Sequence, residues 1–154
     1  MPSVPKHPEN FRTREQRATV GLLSTADAVR RQLSRVVEPH GITLQQFNVL
    51  RILRGAGEMG LPTLTVGERM IEQTPGVTRL VDRLEKKNLV TRVPCPTDRR
   101  RVYCRITESG LELLATLDEP ISRADYSAVS ALEAADLDDL IAALDRIRAA
   151  NPVT

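Results

Sequence analysis

Three consecutive arginines, Arg99 to Arg101, make the densest cluster of like charge in the sequence. Adjacent guanidinium groups repel one another unless an anion lies nearby, so this cluster predicts contact with a polyanion. An exposed turn of this kind can lay an arginine into a narrow minor groove of DNA, where the potential is most negative. Asp98 is expected to pair with Arg100 or a neighbouring arginine and so to fix the turn. The plainer alternative is a solvated run of charge.

A second set of cations lies on the polar face of a helix predicted directly upstream of that turn. Thr74-Pro75 has the form of an N-cap followed by proline at the first helical position. Arg79 is placed to donate two hydrogen bonds to a guanine edge, whereas Arg83 and Lys86 are better placed for phosphates. The alternative is an ordinary solvated helix face. The residues predicted to contact DNA on this helix are Thr74, Pro75, Gly76, Thr78, Arg79, Arg83 and Lys86.

Charge is distributed unevenly along the chain, although the net charge is only +2. Residues 75–105 carry 9 basic and 3 acidic side chains, a net of +6, whereas residues 107–154 carry 3 basic and 10 acidic side chains, a net of −7. A basic segment set into a larger scaffold is typical of a polyanion-binding element. The chain has 2 Phe, 2 Tyr and no Trp, which argues against a protein that stacks single-stranded bases.

Two neighbouring helices in the basic region form a predicted helix-turn-helix. The first is expected over about 64–71, capped by Thr63 or, in the favoured capping-box interpretation, by Thr65. The second is expected over 75–87, with one apolar face of residues spaced by three and four. Two helices joined by a tight turn are typical of a DNA-binding motif whose second helix enters the major groove.

A two-stranded hairpin is predicted directly after the second helix. Residues 89–94 and 102–106 have the alternating pattern of short strands, with the arginine turn between them. Asn88 lies between helix and hairpin, where a left-handed residue is expected and asparagine tolerates that conformation. Upstream of the short helix, a capping box at Thr43 begins a predicted helix that stops at Gly55, and residues 55–62 are predicted to be a loop.

Long helices are predicted on both sides of this region. Thr13 begins a capping box, and apolar residues then recur at steps of three and four from Leu22 onward. A helix of about 25 residues is long against a mean of about 11–12, so its apolar stripe is expected to pack on a second subunit. Thr107 is expected to cap a helix that breaks at Pro120, and a last helix is predicted over 134–149.

The two cysteines, Cys95 and Cys104, flank the arginine turn. They could form a redox pair and even face each other across the hairpin. The stronger alternative is that Cys104, which alternates with Val102 and Ile106, is a small core residue. The two histidines and two cysteines are too widely spaced for a zinc site, so no metal and no cofactor are expected. The sequence contains no phosphate-binding loop, nucleophile elbow or metalloprotease motif, which argues against an enzyme.

The length of 154 residues and an apolar fraction of 41% are those of one globular domain. We expect a disordered arm over 1–12, rich in proline and polar groups, and a single domain over 13–154. The chain has no run of apolar residues long enough for a membrane span and no leader with an apolar core. These features, with the low cysteine content, predict a cytoplasmic protein.

The sequence resembles the MarR family of bacterial transcription regulators. Residues 77–90 read VTRLVDRLEKKNLV, and they are followed by Asp98-Arg99-Arg100 and by ITESG at 106–110, in the order and spacing of that family. The resemblance implies a mainly α fold with a small β-hairpin wing, a winged helix-turn-helix lobe at about 43–106, and dimerisation helices at about 13–38 and 107–150. Asn88 stands where glycine is usual. Pro75-Gly76 stands where small hydroxyl residues are usual, so the base specificity does not carry over.

The function implied by this resemblance is that of a ligand-responsive repressor, a homodimer that binds a pseudo-palindromic operator. The implied partners are double-stranded DNA, a second copy of the chain and a small aromatic or phenolic effector. The alternatives are a winged-helix module that binds another protein and a regulator that senses oxidants through Cys95 and Cys104. The implied dimer interface consists of Leu22, Ala26, Val29, Leu137, Leu140, Ile141 and Leu144.

Overall fold

The computed structural model describes residues 10–73 and 75–153, which form six α-helices and three β-strands. The predicted arm over 1–12 therefore lies outside the described residues except for its last three. The helices are α1 (Arg14–Val37), α2 (Leu44–Ala56), α3 (Thr63–Arg69), α4 (Val77–Lys86), α5 (Glu108–Val129) and α6 (Ala134–Ala150). The strands are β1 (Leu61–Pro62), β2 (Val90–Pro94) and β3 (Val102–Ile106). This mainly helical fold with a small antiparallel sheet is the predicted fold class.

Three helices begin at the caps that the sequence predicts. The hydroxyls of Thr13 and Thr107 accept backbone N–H groups in the first turns of α1 and α5. Thr43 and Gln46 form a complete capping box, each side chain bonding the other's backbone, at the start of α2. A capping box satisfies amides that the helix itself cannot pair, which is why this local pattern predicts the boundary.

Two predicted helix starts are wrong. Pro62 is the N-cap residue of α3, and Thr63 is already helical, so neither Thr63 nor Thr65 caps it. The hydroxyl of Thr63 instead lies 3.3 Å from Cys104 Sγ, because β1 carries the chain onto β3 immediately before the helix. Helix α4 begins at Val77, not at Pro75, with Gly76 as N-cap residue. The predicted cap Thr74 lies outside the described residues.

Helix α5 runs without interruption through Pro120, where a break was expected. Proline removes one backbone hydrogen bond, but core packing on both sides holds the helix together. Leu117 is fully buried before Pro120, and Ile121 is 6% exposed after it. The core lies among α2, α4, α5 and the sheet, and its fully buried side chains include Leu50, Leu53, Val81, Leu84 and Leu114.

The sheet has the order β1-β3-β2, so it contains one strand more than predicted. Leu61 pairs with Cys104 and Pro62 with Tyr103. Gly60 makes this approach possible, since a Cβ there would lie 2.1 Å from the Cys104 carbonyl oxygen and its φ is +71°. The predicted loop over 55–62 is thus wrong at both ends, because α2 continues to Ala56 and β1 occupies 61–62. No helix among the described residues has both the length and the apolar composition needed to cross a membrane.

Candidate nucleic-acid interface

Helix α4 packs one face into the core and leaves its cations in solvent. Val77, Leu80, Val81 and Leu84 are buried. Helix α3 approaches closely, since a Cβ added at Gly67 would lie 3.4 Å from Val77 Cγ2. The outward face carries Thr78, Arg79, Arg83 and Lys86, all of them exposed. The arrangement fixes the helix from behind and presents hydrogen-bond donors on one side.

The arginine turn between β2 and β3 is held by its backbone. The Cys95 N–H donates to the Arg101 carbonyl at 2.9 Å, and the Arg101 N–H donates to the Asp98 carbonyl at 3.0 Å. Asp98 Oδ1 accepts the backbone N–H of Arg100 at 3.0 Å. Asp98 therefore fixes the turn as expected, but its partner is a main-chain amide and not a guanidinium. The side chains of Arg99, Arg100 and Arg101 remain exposed.

Arg92 joins the hairpin to α4, a link that the sequence analysis missed. Its Nη1 lies 2.5 Å from Asp82 Oδ1 and 3.5 Å from Glu85 Oε1, and its Nη2 donates to the Thr78 carbonyl at 3.2 Å. The Arg92 backbone N–H also donates to Glu85 Oε2 at 3.2 Å. Burial lowers the pKa of Arg92, but its hydrogen bond to Asp82 and the nearby carboxylates raise it by more. In the sequence, this link was indicated by two acidic residues, Asp82 and Glu85, that lie within a strongly basic segment.

This link sets the geometry of the two cationic surfaces. Because Arg92 is only 23% exposed and satisfies both carboxylates, Asp82 and Glu85 are engaged within the lobe. Among the described residues, the side chains of Arg79, Arg83 and Lys86 make no hydrogen bond or ion pair. Helix α4 and the hairpin turn are thus held together by an internal ion-pair network, with their other cations directed into solvent. Such a surface suits a polyanion.

The cysteines do not face each other. In the β2–β3 register Arg92 pairs with Cys104, and the last pair is Pro94 with Val102, so Cys95 lies about 10 Å along the hairpin from Cys104. Cys104 is fully buried, which confirms the core interpretation. Cys95 is also buried, and its hydrogen bond with Thr97 lowers the pKa of its thiol.

The apolar residues expected at a dimer interface lie on α1 and α6. Helix α6 contributes no buried residue, and Leu140 and Ile141 are 37% and 51% exposed. On α1, Leu22 is 39% exposed. These side chains lie along two helices, and the described part of the same chain buries them only partly.

A cavity of about 650 Å³ lies between α1, α2, the α3–α4 turn and the α5–α6 region. Its polar end holds Arg30, whose Nε lies 2.6 Å from Glu72 Oε1, and Gln45, whose Nε2 donates to Glu72 Oε2 at 2.8 Å. Most of the other lining side chains are apolar: Leu22, Ala26, Val29, Leu33, Leu44, Met70, Ile71, Ala128, Val129, Ala131, Leu132, Leu140 and Leu144. Within residues 10–73 and 75–153, no group of His, Cys, Asp and Glu side chains is arranged to hold a metal ion.

Comparisons with known proteins agree on one family. A family model described as the MarR family matches residues 42–102. The HTH-type transcriptional regulator MhqR of Bacillus subtilis is 34% identical over 98 residues, which are 58% of this chain and 66% of that protein. The crystal structure of a MarR transcription factor from Planctomyces limnophilus matches with a TM-score of 0.68 and 32% identity, over 88% of this chain and 98% of that one.

A third comparison concerns the fold alone. A mutant MarR from E. coli, crystallised in complex with operator DNA, matches with a TM-score of 0.78 and 23% identity, over 85% of this chain and 93% of that one.

Proposed function

Since the chain belongs to the MarR family of transcriptional regulators, we propose that it is a homodimeric, ligand-responsive repressor that binds a pseudo-palindromic operator. The observation that carries this proposal is the pair of exposed cationic surfaces on α4 and the hairpin turn, held together by Arg92. A neutral or acidic surface at these positions would not neutralise the negative charge of the DNA phosphates. Contacts with phosphates supply much of the affinity of DNA-binding proteins.

The residues of α4 have distinct roles in this proposal. Arg79, in the first turn of α4, reads a base edge in the major groove, where a bidentate arginine–guanine pair gives discrimination. Arg83 and Lys86 lie one and two turns further on and contact phosphates, which position the helix. Thr74, Pro75, Gly76 and Thr78 complete the expected contact surface at the N-terminal end.

The hairpin turn acts as the wing. Arg99, Arg100 and Arg101 are exposed on a turn that is fixed by backbone hydrogen bonds, so their side chains are available to the minor groove and its phosphates. Asp98 is a positioning residue, because its carboxylate is used by the Arg100 amide.

The dimer is proposed to form through α1 and α6. Helix α6 is amphipathic but has no buried residue, so its apolar face is exposed to solvent. Contact with a second copy of the chain is the simplest way to bury this face. A two-fold dimer places its two recognition helices about one turn of DNA apart and reads two half-sites. The proposed interface residues are Leu22, Ala26, Val29, Leu137, Leu140, Ile141 and Leu144.

The effector is proposed to bind in the 650 Å³ cavity, beside the lining residues that are not proposed dimer contacts, such as Leu44, Met70 and Ile71. A small aromatic or phenolic molecule matches its mostly apolar lining. The cavity touches both α1, from the proposed dimer region, and the turn that leads into α4, so its occupant can bias the spacing of the two recognition helices.

Substitution of the α4 arginines tests the proposal. In fluorescence anisotropy with duplexes selected from a random pool, Arg79→Ala is expected to lower affinity and relax base preference at one position of each half-site. Arg83→Ala is expected to weaken binding to all duplexes alike and to reduce the salt slope by about 0.9 for each phosphate that the variant no longer neutralises. The matched control is Arg31→Ala on α1, where the arginine is exposed and pairs with Asp27. Wild-type affinity for both α4 variants, or a flat salt response, would refute the proposed interface.

A further inference from the structure

Lys87 is the C-cap residue of α4, and its place on the helix differs from that of its neighbour Lys86. Lys87 follows the buried residues Leu80 and Leu84 by seven and three positions, so it continues the face of α4 that packs into the core. Lys86 instead follows the exposed Arg83 by three positions and lies on the outward face. The two adjacent lysines therefore have different surroundings, although they form one basic pair in the sequence.

The ammonium group of Lys87 binds the corner between α1 and α2, residues 38–43. Its Nζ donates to the Gly41 carbonyl oxygen and, at 3.2 Å, to Gln46 Oε1 in the first turn of α2. The same Gln46 oxygen accepts the Thr43 N–H at 3.0 Å as part of the capping box. Gln46 is only 2% exposed, so the acceptor is held firmly by the structure around it.

A second link joins the same end of α4 to the start of α5. The carbonyl oxygen of Asn88, the residue after Lys87, accepts the Thr107 hydroxyl at 2.7 Å. The Leu89 carbonyl oxygen accepts the Thr107 N–H at 3.0 Å, and Thr107 is the N-cap residue of α5. The C-terminal end of α4 is thus held between the end of α1 and the start of α5. Helix α1 belongs to the proposed dimer region, and α5 leads to α6 in the same region.

From these contacts we propose that Lys87 positions the recognition helix: its ammonium group fixes the C-terminal end of α4 to the corner and contacts no phosphate. The inference rests on the proposed function, because it assigns a role within the DNA binding proposed for α4. An ammonium group has three donors, and the protein itself takes two of those of Lys87. The exposed Lys86 keeps the phosphate contact proposed above.

The orientation of α4 matters because both of its ends must meet the DNA together. Arg79 and Lys86 are seven residues apart, about 10 Å along a helix that rises about 1.5 Å per residue. A tilt of about 5° therefore changes their relative height by about 1 Å. Hydrogen bonds have N···O distances of about 2.7–3.2 Å, so a shift of this size breaks a bidentate contact with a base edge. Loss of the Lys87 link should thus weaken sequence-specific binding more than nonspecific binding.

Two adjacent substitutions in the full-length protein test the assignment. Lys87→Met keeps an unbranched side chain and removes its donors, and it should fold, because Gln46 Oε1 retains the Thr43 N–H. Lys86→Met removes the same charge one residue earlier. Affinities for a selected duplex and for a random duplex are measured by fluorescence anisotropy over a series of salt concentrations.

The two variants should differ in their salt dependence. Lys86→Met should reduce the slope of log affinity against log salt by about 1.8, which is about 0.9 for each of two phosphates per dimer. Lys87→Met should keep the wild-type slope and lower affinity for the selected duplex about tenfold at every salt concentration, the size expected of one hydrogen bond to a charged group. Its affinity for the random duplex should be unchanged. Lys87→Arg retains donors and should restore affinity to within about threefold of the wild type.

Hydrogen exchange gives a second readout that needs no DNA. In Lys87→Met, the backbone amides of the corner and of the last turn of α4 should exchange about tenfold faster than in the wild type, because local opening no longer breaks the bonds of the ammonium group. In Lys86→Met, these amides should exchange as in the wild type.

Several results would overturn the inference and leave the proposed function intact. They are an equal loss of salt slope in Lys87→Met and Lys86→Met, wild-type affinity in Lys87→Met, and no recovery in Lys87→Arg. Equal exchange rates in the wild type and in Lys87→Met would also contradict it. A wild-type protein that selects no duplex refutes the proposed function and with it the role in DNA binding, whereas faster exchange confined to Lys87→Met would still support the link between α4 and the corner.

Discussion

Removal of two wing arginines isolates the electrostatic part of DNA binding. The double substitution Arg99→Ala with Arg100→Ala deletes two exposed cations from a turn whose hydrogen bonds use the backbone and the Asp98 carboxylate. The fold should therefore be retained, with a change in unfolding free energy within about 0.5 kcal/mol, as is usual for exposed surface positions.

The expected size of the effect follows from counterion release. If each arginine neutralises one phosphate, the variant dimer neutralises about four fewer, and the slope of log affinity against log salt falls by about 3.6. Between 50 and 200 mM salt, a slope of about 3.6 changes the affinity by about 150-fold. The affinity of the double variant should therefore fall about 150-fold less over this range than the affinity of the wild type. The loss of affinity should thus be large at low salt and small at high salt.

The assay is fluorescence anisotropy with a selected duplex over a series of salt concentrations. The matched control is Arg123→Ala with Arg148→Ala, which removes the same charge from α5 and α6, where the side chains pair with Glu119 and Asp145. A double wing variant with the wild-type slope, or a control with an equal loss of slope, would refute the placement of the wing on DNA.

Three further substitutions test the elements that position the interface. Arg92→Gln should lower DNA affinity and reduce the unfolding free energy by about 1–2 kcal/mol, because it breaks the link between hairpin and α4; urea unfolding measures the second effect. Gly110→Ala should destabilise the protein by about 1–3 kcal/mol, since the new Cβ would lie 2.5 Å from the Leu89 carbonyl oxygen, whereas the control Gly21→Ala has open space and should stabilise α1 by up to about 1 kcal/mol. The bidentate hydrogen bonds from Arg54 lower the pKa of Asp118, so the stability that this pair supplies is present above the unfolded-state pKa of about 3.9 and disappears as pH falls through the folded-state pKa. Asp118→Asn should therefore be less stable than the wild type at neutral pH and equal to it at strongly acid pH, and a difference that does not change with pH would contradict this account.

The features that were predicted from the sequence are those encoded locally. Thr13, Thr43 and Thr107 each begin a helix because the cap and the amides it satisfies lie within one turn. Asn88 has a φ of +59°, the left-handed conformation expected of it after α4. The strands of the hairpin also lie where their alternating pattern placed them.

The features that were missed depend on residues distant in sequence. Strand β1 is two residues long and has no periodicity of its own, and it forms because Gly60 allows the chain to meet β3. Helix α5 passes Pro120 because core packing outweighs the missing backbone hydrogen bond. Arg92 could not be identified as a positioning residue from the sequence, because its partners on α4 lie near it only when the hairpin packs against that helix.

Selection of bound duplexes from a random DNA pool tests the central claim most directly. The purified full-length protein is mixed with the pool at physiological salt, and the bound fraction is sequenced. A homodimeric regulator with one recognition helix in each protomer predicts a two-fold symmetric motif, with half-sites about ten base pairs apart. Binding that falls steeply with salt but enriches no motif would contradict sequence-specific recognition by α4 and the wing.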